Sequence, residues 1–106
     1  MDIQALKAML DAGQDNVILR FGLGQALIKQ EEFAQAIEHL HKAIEFDNEY
    51  SAAYKLLGKA LTQQEQIPQA IKIYQQGIEI AESKGDIQAA KEMKVFLKRL
   101  NKNQAS

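Results

Sequence analysis

Two histidines are the residues of this sequence whose type most readily suggests chemistry. His39 and His41 carry imidazole rings, which bind metal ions and transfer protons near neutral pH. On a helix, residues two apart point in different directions, whereas residues three or four apart share a face. The two rings therefore cannot bind one metal ion together, and we predict no metal site in this chain.

A short glycine-rich segment, Gly22-Leu23-Gly24, has the composition of a phosphate-binding loop. Such loops follow a strand and open a helix, so that their backbone N–H groups cradle the phosphates. Here the segment lies in the middle of a stretch with helical periodicity, and no strand precedes it. The sequence also lacks a Ser-His-Asp set and paired catalytic carboxylates. We predict that the protein is not an enzyme and uses no cofactor.

Basic side chains are concentrated at the C-terminal end of the chain. Residues 84–106 carry six Lys or Arg and two acidic residues, whereas residues 1–83 carry seven basic and twelve acidic ones. The net charge of the whole chain is only −1, so the two signs are separated along the sequence. This asymmetry bears on the kind of partner that the chain would bind.

Apolar residues recur every three or four positions, and no strand-like alternation occurs. We therefore expect that these side chains are carried by helices. Six helices are predicted, of which the first spans 2–12 and the last 86–100. A polar tail follows at 101–106. A chain of 106 residues has room for one domain, which we place at 1–100.

Short polar residues predict where several helices begin. Asp2, Ser51 and Asp86 each precede an apolar helical run and are expected to cap it, and either Asp15 or Asn16 caps the second helix. Capping side chains accept hydrogen bonds from N–H groups that have no partner inside the helix.

The central feature of the sequence is an internal repeat. Residues 17–50 align without a gap with residues 51–84, and eleven of the 34 pairs are identical. The identities fall on small and aliphatic positions at helical spacing, so the repeated property is packing. A fixed period of this length is typical of helical repeat proteins.

The repeat resembles the tetratricopeptide repeat, a 34-residue helix-turn-helix unit. The residues that carry the resemblance are leucine at position 7, glycine at 8, a large apolar residue at 11 and alanine at 20, which here are Leu23/Leu57, Gly24/Gly58, Leu27/Leu61 and Ala36/Ala70. The first helix resembles the end of a preceding repeat, and the last resembles the start of a following one. The resemblance implies an all-α superhelix (a solenoid) of two full repeats with two flanking helices. It also implies a protein-binding function.

The first repeat departs from the family pattern at position 4, which is usually a large aromatic residue. This position is Tyr54 in the second repeat and Arg20 in the first. At position 32, usually proline, the sequence has Asn48 and Glu82, so the turn geometry is expected to differ there.

The family resemblance also implies which residues line the inner, concave face. The corresponding positions hold six cations and one anion, which suits an extended peptide with acidic groups. The predicted groove residues are Phe21, Gln25, Lys29, Lys55, Lys59, Lys91, Lys98 and Arg99. The family's carboxylate clamp needs a Lys and two Asn where this chain has Phe21, Gln25 and Leu56, so that full clamp is absent.

Three alternatives to a peptide groove follow from the same residues. The lysines could serve only to solvate an exposed face. The basic last helix could contact nucleic-acid phosphates, or the exposed ends of the stack could associate. We expect a monomer, with a homodimer as the alternative. No membrane contact is expected, and the absence of cysteine and of an N-terminal signal pattern predicts a cytoplasmic protein.

Overall fold

The structure, a computed structural model, describes residues 2–105 and the side chains of residues 2–103. Its elements are six α-helices, Ile3–Asp11 (α1), Val17–Lys29 (α2), Phe33–Phe46 (α3), Ser51–Gln63 (α4), Ile67–Lys84 (α5) and Ile87–Ala105 (α6). No strand occurs in this part of the chain, so the predicted all-α class is confirmed. None of these helices, over the described residues, is long and apolar enough to cross a membrane. Met1 and Ser106, the outermost residues of the predicted domain and tail, lie outside the described residues.

The helices stack as hairpins along one direction. Each helix packs against the next in sequence, and in addition α2 contacts α4, and α4 contacts α6. Alternate helices therefore form two layers, with α2, α4 and α6 on one side and α3 and α5 on the other. The resulting body measures 46 × 29 × 19 Å.

Polar side chains cap three helices as predicted. Asp2 accepts a hydrogen bond from the N–H of Gln4 at 3.2 Å, and Asp86 accepts one from Ala89 N–H at 3.3 Å. Of the two candidates for α2, Asn16 is the cap, since its side-chain oxygen accepts from the Leu19 N–H at 2.9 Å.

The predicted cap at Ser51 is wrong. Ser51 is the first residue inside α4, preceded by Tyr50, and its side chain is buried. Its hydroxyl donates instead to the Asp86 carboxylate at 2.7 Å, where a charged oxygen is a stronger acceptor than a neutral group. This bond and the one from Ala89 N–H hold the pKa of Asp86 below its usual range. Ser51 thus ties the start of α4 to the start of α6.

Glycine permits the closest helix contact in each repeat. A Cβ added to Gly24 would lie 2.5 Å from Leu40 Cγ, and one added to Gly58 would lie 2.5 Å from Tyr74 Cζ. These distances are far below van der Waals contact, so no other residue fits without movement of its neighbour. The glycine at the eighth position of α2 and α4 has the packing role that the repeat pattern predicted.

The buried side chains form two clusters. The smaller one joins α1 to α2 through Leu6, Leu19 and Leu23. The larger one runs from α2 to α6 and includes Leu57 and Leu61, which are 0% and 2% exposed. Burying a leucine side chain contributes about 1.5–3 kcal/mol, so these stacked contacts stabilise helices that would be marginal alone.

Helix α6 is longer than the sequence predicted. It continues past Leu100, the predicted end, to Ala105, so that residues 101–105 of the predicted tail are helical. Leu100 is buried against the larger cluster, which anchors the last turns. No glycine or proline follows it to stop the helix, so the backbone hydrogen bonding continues.

Candidate partner-binding surface

The candidate surface is the side of the stack formed by α2, α4 and α6. The eight residues predicted to line it lie on these three helices, but they do not surround a single groove. Five of them line three separate depressions: Gln25 and Lys29 one, Lys59 and Arg99 another, and Lys98 a third.

The depression between α4 and α6 combines two cations with aromatic and aliphatic side chains, and we call it the α4–α6 pocket. Its volume is about 370 Å³, within the usual range for ligand pockets. The residues that line it are Lys59, Thr62 and Gln63 of α4, Tyr74 of α5, and Phe96, Arg99, Leu100 and Asn103 of α6.

Two cations of this pocket have no acidic partner. Neither Lys59 nor Arg99 takes part in an ion pair among the described residues, and both side chains are exposed. An arginine can grip a carboxylate with two parallel hydrogen bonds, while a lysine acts as a point charge. Both side chains line the same depression.

The wall of the pocket is apolar and rigid. Tyr74 is 2% exposed, and its ring lies against Phe96 with a centroid distance of 5.8 Å. Burial raises the pKa of Tyr74 to about 12, so the phenol stays neutral at physiological pH. Thr62 lies beside it and donates its hydroxyl to the Gly58 carbonyl at 2.8 Å, which fixes that side of the wall.

Lys55 is not a free charge. Its ammonium lies 3.3 Å from the carboxylate of Glu92, the one anion among the predicted inner positions, and so links α4 to α6. Gln88 also donates to Glu92 at 3.3 Å. Half-exposed pairs of this kind contribute about 0.2–1 kcal/mol, so an acidic group of a partner would compete with Glu92 for Lys55.

Phe21 is half-buried and contributes an aromatic contact. Its ring stacks on Tyr50 with centroids 4.9 Å apart, where α2 meets the start of α4. Gln25 and Lys29 face away from the α4–α6 pocket, since they line a depression of about 440 Å³ between α1 and α2. These two residues therefore belong to a different surface from Lys59 and Arg99.

The predicted basic residues of α6 also separate in space. Lys98 lines a shallow depression with Lys94 and Lys102, whereas its neighbour Arg99 lines the α4–α6 pocket, because adjacent residues of a helix point about 100° apart. Lys91 is exposed and lines neither of these depressions. Lys94 is held by an ion pair with Glu82 at 2.7 Å.

A polar cluster in the first repeat was not foreseen from the sequence. Arg20 donates to both oxygens of Asp15, at 2.8 and 2.9 Å, and to Nδ1 of His39 at 3.0 Å. The bonded guanidinium holds the pKa of Asp15 below its usual range. Burial first, and then the Arg20 charge, lowers the pKa of His39, so this ring is neutral near pH 7.

The two histidines lie in different surroundings. His39 accepts from Arg20, while His41 lies in a depression between α3 and α5. Within the part of the chain that the structure describes, no group of three or more His, Asp or Glu side chains is placed to hold a metal ion.

Sequence reasoning missed half of the α4–α6 pocket. The predicted groove residues did not include Tyr74, Phe96 or Leu100, and Asn103 was placed in the polar tail. Thr62 and Gln63 were available as inner-face positions of the repeat, so that periodicity was the signal for them. No pattern within a single helix shows that Tyr74 reaches between α4 and α6.

Comparison with known sequences identifies tetratricopeptide repeat proteins as relatives of this chain. The sequence profile described as tetratricopeptide repeat matches residues 27–93. The chain is 43% identical over 102 residues to the TPR repeat-containing protein PA0015 of Pseudomonas aeruginosa, covering 96% of this chain and 97% of that protein.

Solved structures show the same arrangement of helices. The solution structure of protein BPP2914 from Bordetella parapertussis has a TM-score of 0.86 and 42% identity, covering 99% of this chain and 91% of that one. The first TPR of Spaghetti (RPAP3), bound to the HSP90 peptide SRMEEVD, has a TM-score of 0.79 at 23% identity, covering 98% and 80% of the two chains. At that identity the likeness is one of fold alone.

Proposed function

The chain belongs to the tetratricopeptide repeat family, and from this premise we propose that it is a non-enzymatic module that binds a partner protein through the α4–α6 pocket. The family and fold are those of protein-interaction scaffolds. The partner segment is an extended peptide that carries an acidic group next to a bulky apolar side chain. The lack of cysteine supports a cytoplasmic site of action.

One observation carries the proposal: two cations that enter no ion pair among the described residues line a pocket with an aromatic wall. Lys59 and Arg99 would meet the acidic group, and the wall of Tyr74 and Phe96 would receive the apolar side chain. Burying one leucine-sized side chain contributes about 1.5–3 kcal/mol, whereas an exposed charge pair contributes about 0.2–1 kcal/mol. The wall therefore supplies most of the affinity, and the cations select for acidic sequences.

The rigidity of the wall supports binding without a large ordering cost. Tyr74 is fixed against Gly58, and the Lys55–Glu92 and Ser51–Asp86 contacts hold α4 and α6 together. A surface that is already in its bound arrangement loses little conformational entropy when the partner arrives.

A neighbour of the same fold supports the peptide-binding mode. The first TPR of Spaghetti (RPAP3) was solved with the peptide SRMEEVD, whose last residue is acidic. This chain has Phe21, Gln25 and Leu56 in place of the family's clamp residues. We therefore expect recognition of an acidic group through Lys59 and Arg99 and weak binding of SRMEEVD itself.

Nucleic-acid contact through α6 has less support. Single-stranded nucleic acid is held by cations together with aromatic rings on which the bases stack. The only aromatic residue in α6, Phe96, packs against Tyr74 and is half-buried.

The proposal is tested by selecting peptides from a phage-displayed random library on the immobilised protein and measuring their affinity by calorimetry. We expect selected peptides with Asp or Glu beside Leu, Ile or Phe. The double substitution Lys59→Glu with Arg99→Glu should lower the affinity for these peptides by roughly tenfold or more, which corresponds to about 1.4 kcal/mol.

The matched control is Lys72→Glu, a charge reversal on the exposed surface of α5, outside the pocket. It should leave the affinity unchanged, and all variants should keep the melting temperature of the wild type. Selected peptides without acidic residues, or equal weakening by Lys72→Glu, would refute the proposed site.

A further inference from the structure

The carboxylate of Glu92 is held by two side chains next to the α4–α6 pocket. Its Oε2 accepts from the Lys55 ammonium of α4 at 3.3 Å, and its Oε1 accepts from the Gln88 amide of α6 at 3.3 Å. Each oxygen therefore has its own donor, and the two donors come from different helices. Glu92 is half-buried, and these two bonds orient its charge towards α4.

The repeat architecture does not require a carboxylate at this position. Glu92 is the sixth residue of α6, and the sixth residues of α2 and α4 are Gly22 and Leu56. A glycine, a leucine and a glutamate at equivalent positions show that helix packing accepts an uncharged residue there. The negative charge of Glu92 is therefore a property of this surface and not of the fold.

The Lys55–Glu92 pair lies one helical turn from the α4–α6 pocket on both helices. Lys55 precedes Lys59 by four residues on α4, and Glu92 precedes Phe96 by four residues on α6. Residues four apart share a face of a helix and lie about 6 Å apart. In an extended peptide, residues two apart point the same way and are separated by about 7 Å. A peptide whose acidic group lies in the pocket can therefore place a second side chain over the pair.

The pocket and the neighbouring turn differ in net charge. Lys59 and Arg99 enter no ion pair among the described residues, whereas the charge of Lys55 is matched by that of Glu92. The surface thus presents two positive charges at the pocket and a neutral pair one turn away. An acidic group over that pair meets one charge of each sign at a similar distance, so that attraction and repulsion largely cancel.

We propose that Glu92 is a specificity-determining residue that limits this surface to peptides with a single acidic group. By occupying Lys55, it withholds the cation that a second acidic residue of the partner would otherwise bind. A second acidic group reaches Lys55 only by displacing Glu92, whose carboxylate then faces it as a like charge. Like charges placed opposite each other disfavour a wrong partner. The proposal rests on the proposed function, because it concerns the peptide bound in the α4–α6 pocket.

Removing one or the other member of the pair should change peptide preference in opposite directions. Glu92→Gln keeps the size of the side chain but leaves the Lys55 charge without a partner, so a second acidic residue in the peptide should be favoured. Lys55→Gln leaves the Glu92 charge without a partner, so a basic residue should be favoured at the same peptide position. If the pair served only to hold α4 and α6 together, both variants would change the affinity for all peptides alike.

The test is calorimetry with a peptide selected on the wild type that has one acidic residue beside its apolar residue. Each position within three residues of the acidic one is changed in turn to Glu, Gln or Lys. For the wild type, the ratio of the affinities of the Glu and Gln peptides should stay close to one at every position. In Glu92→Gln this ratio should rise about threefold at one position, as expected for an exposed charge pair. In Lys55→Gln the Lys peptide should gain by a similar factor at the same position.

The matched control is Glu38→Gln, which removes the same charge from the exposed surface of α3, in the other layer of helices. Its ratio of Glu to Gln affinities should equal that of the wild type. The threefold change in Glu92→Gln should shrink as salt is added, because salt screens exposed charges. All variants should keep a melting temperature within a few degrees of the wild type, since half-exposed ion pairs contribute little to stability.

The Lys59→Glu, Arg99→Glu variant separates failure of this proposal from failure of the proposed function. If that variant loses affinity for the parent peptide but Glu92→Gln leaves the ratio unchanged, the pocket binds the peptide and Glu92 does not select it. If the variant binds the parent peptide as the wild type does, the proposed pocket and the role of Glu92 are both refuted. An equal change of the ratio in Glu38→Gln would also overturn the proposal, since net charge alone would then explain it.

Discussion

The two repeats have the same backbone arrangement but use the fourth position of their first helix in opposite ways. In the second repeat Tyr54 is 5% exposed, and its hydroxyl donates to the Asn48 carbonyl at 2.8 Å. In the first repeat Arg20 stands in that place and binds Asp15 and His39. At this position the second repeat has an aromatic residue that packs in the larger cluster, whereas the first repeat has a charged network near solvent.

This difference shows which features the repeat architecture requires and which it leaves free. Both repeats need glycine at the eighth position of the first helix, because the second helix passes too close for any side chain. The fourth position needs only a side chain that fills its space and satisfies its polar atoms. The second repeat contributes to the α4–α6 pocket and has two helices packed before it, α2 and α3, whereas only α1 precedes the first repeat.

Truncating the side chain at the fourth position should give the largest difference in stability loss between the two repeats. Tyr54→Ala removes a buried ring and should lower the free energy of unfolding by about 3–5 kcal/mol. Arg20→Ala should cost much less, because its ion pair is partly exposed. Urea unfolding followed by circular dichroism measures both. Equal losses would contradict the idea that the second repeat carries more of the core.

The glycine contacts provide the next test. Gly58→Ala forces a methyl group against the rigid Tyr74 ring and should cost about 1–3 kcal/mol. Gly24→Ala forces a methyl group against the fully buried Leu40 side chain, so we expect a loss of similar size. Gly22→Ala, the matched control whose added methyl group would meet only Leu6 at 4.0 Å, should raise the melting temperature. If the three substitutions have the same effect, close helix contact is not the reason for these glycines.

The charged network of the first repeat should make stability depend on pH. The pKa of His39 is lowered in the folded protein from its ordinary 6.5, so the unfolded chain binds a proton first as the pH falls. The melting temperature should therefore drop as the pH falls through 6.5 towards the folded pKa. His39→Gln should remove most of this slope, and the control His41→Gln should keep it. An unchanged slope in His39→Gln would show that another group titrates.

The smallest change in stability is expected from substitutions in the turn between the two helices of a repeat, where both repeats have the same residue and backbone conformation. Glu31 and Glu65 both have a φ of 58°, in the left-handed region, at the turn between the two helices of each repeat. Replacing either by glycine should stabilise the protein by about 0.5–1 kcal/mol, or a few degrees in melting temperature. The two substitutions should give equal gains, and a clear inequality would show that the turns are strained differently.

The sequence was sufficient for the helix-packing framework. The spacing of Gly24, Gly58 and the buried leucines predicted six helices and a tetratricopeptide repeat, because each such contact depends on residue size at a fixed position. Caps at Asp2 and Asp86 were predicted for the same local reason. The caps depend on neighbours within one turn, and the glycine contacts recur at the same positions of the two repeats.

Features that depend on distances between helices could not be predicted in this way. Ser51 bonds to Asp86, 35 residues away, and Lys55 bonds to Glu92, 37 residues away. Likewise, the separation of Lys98 from Arg99 depends on the exact rotation of α6. Period and composition identify which residues face inward, but not which two of them meet.

The most direct test of the central claim is a backbone amide NMR titration of the protein with a peptide selected on it. We expect the largest shift changes in residues 59–63 and 96–103, which border the α4–α6 pocket, and their loss in the Lys59→Glu, Arg99→Glu variant. Changes confined to α3 and α5, or to α1 and α2, would contradict partner binding at the α4–α6 pocket.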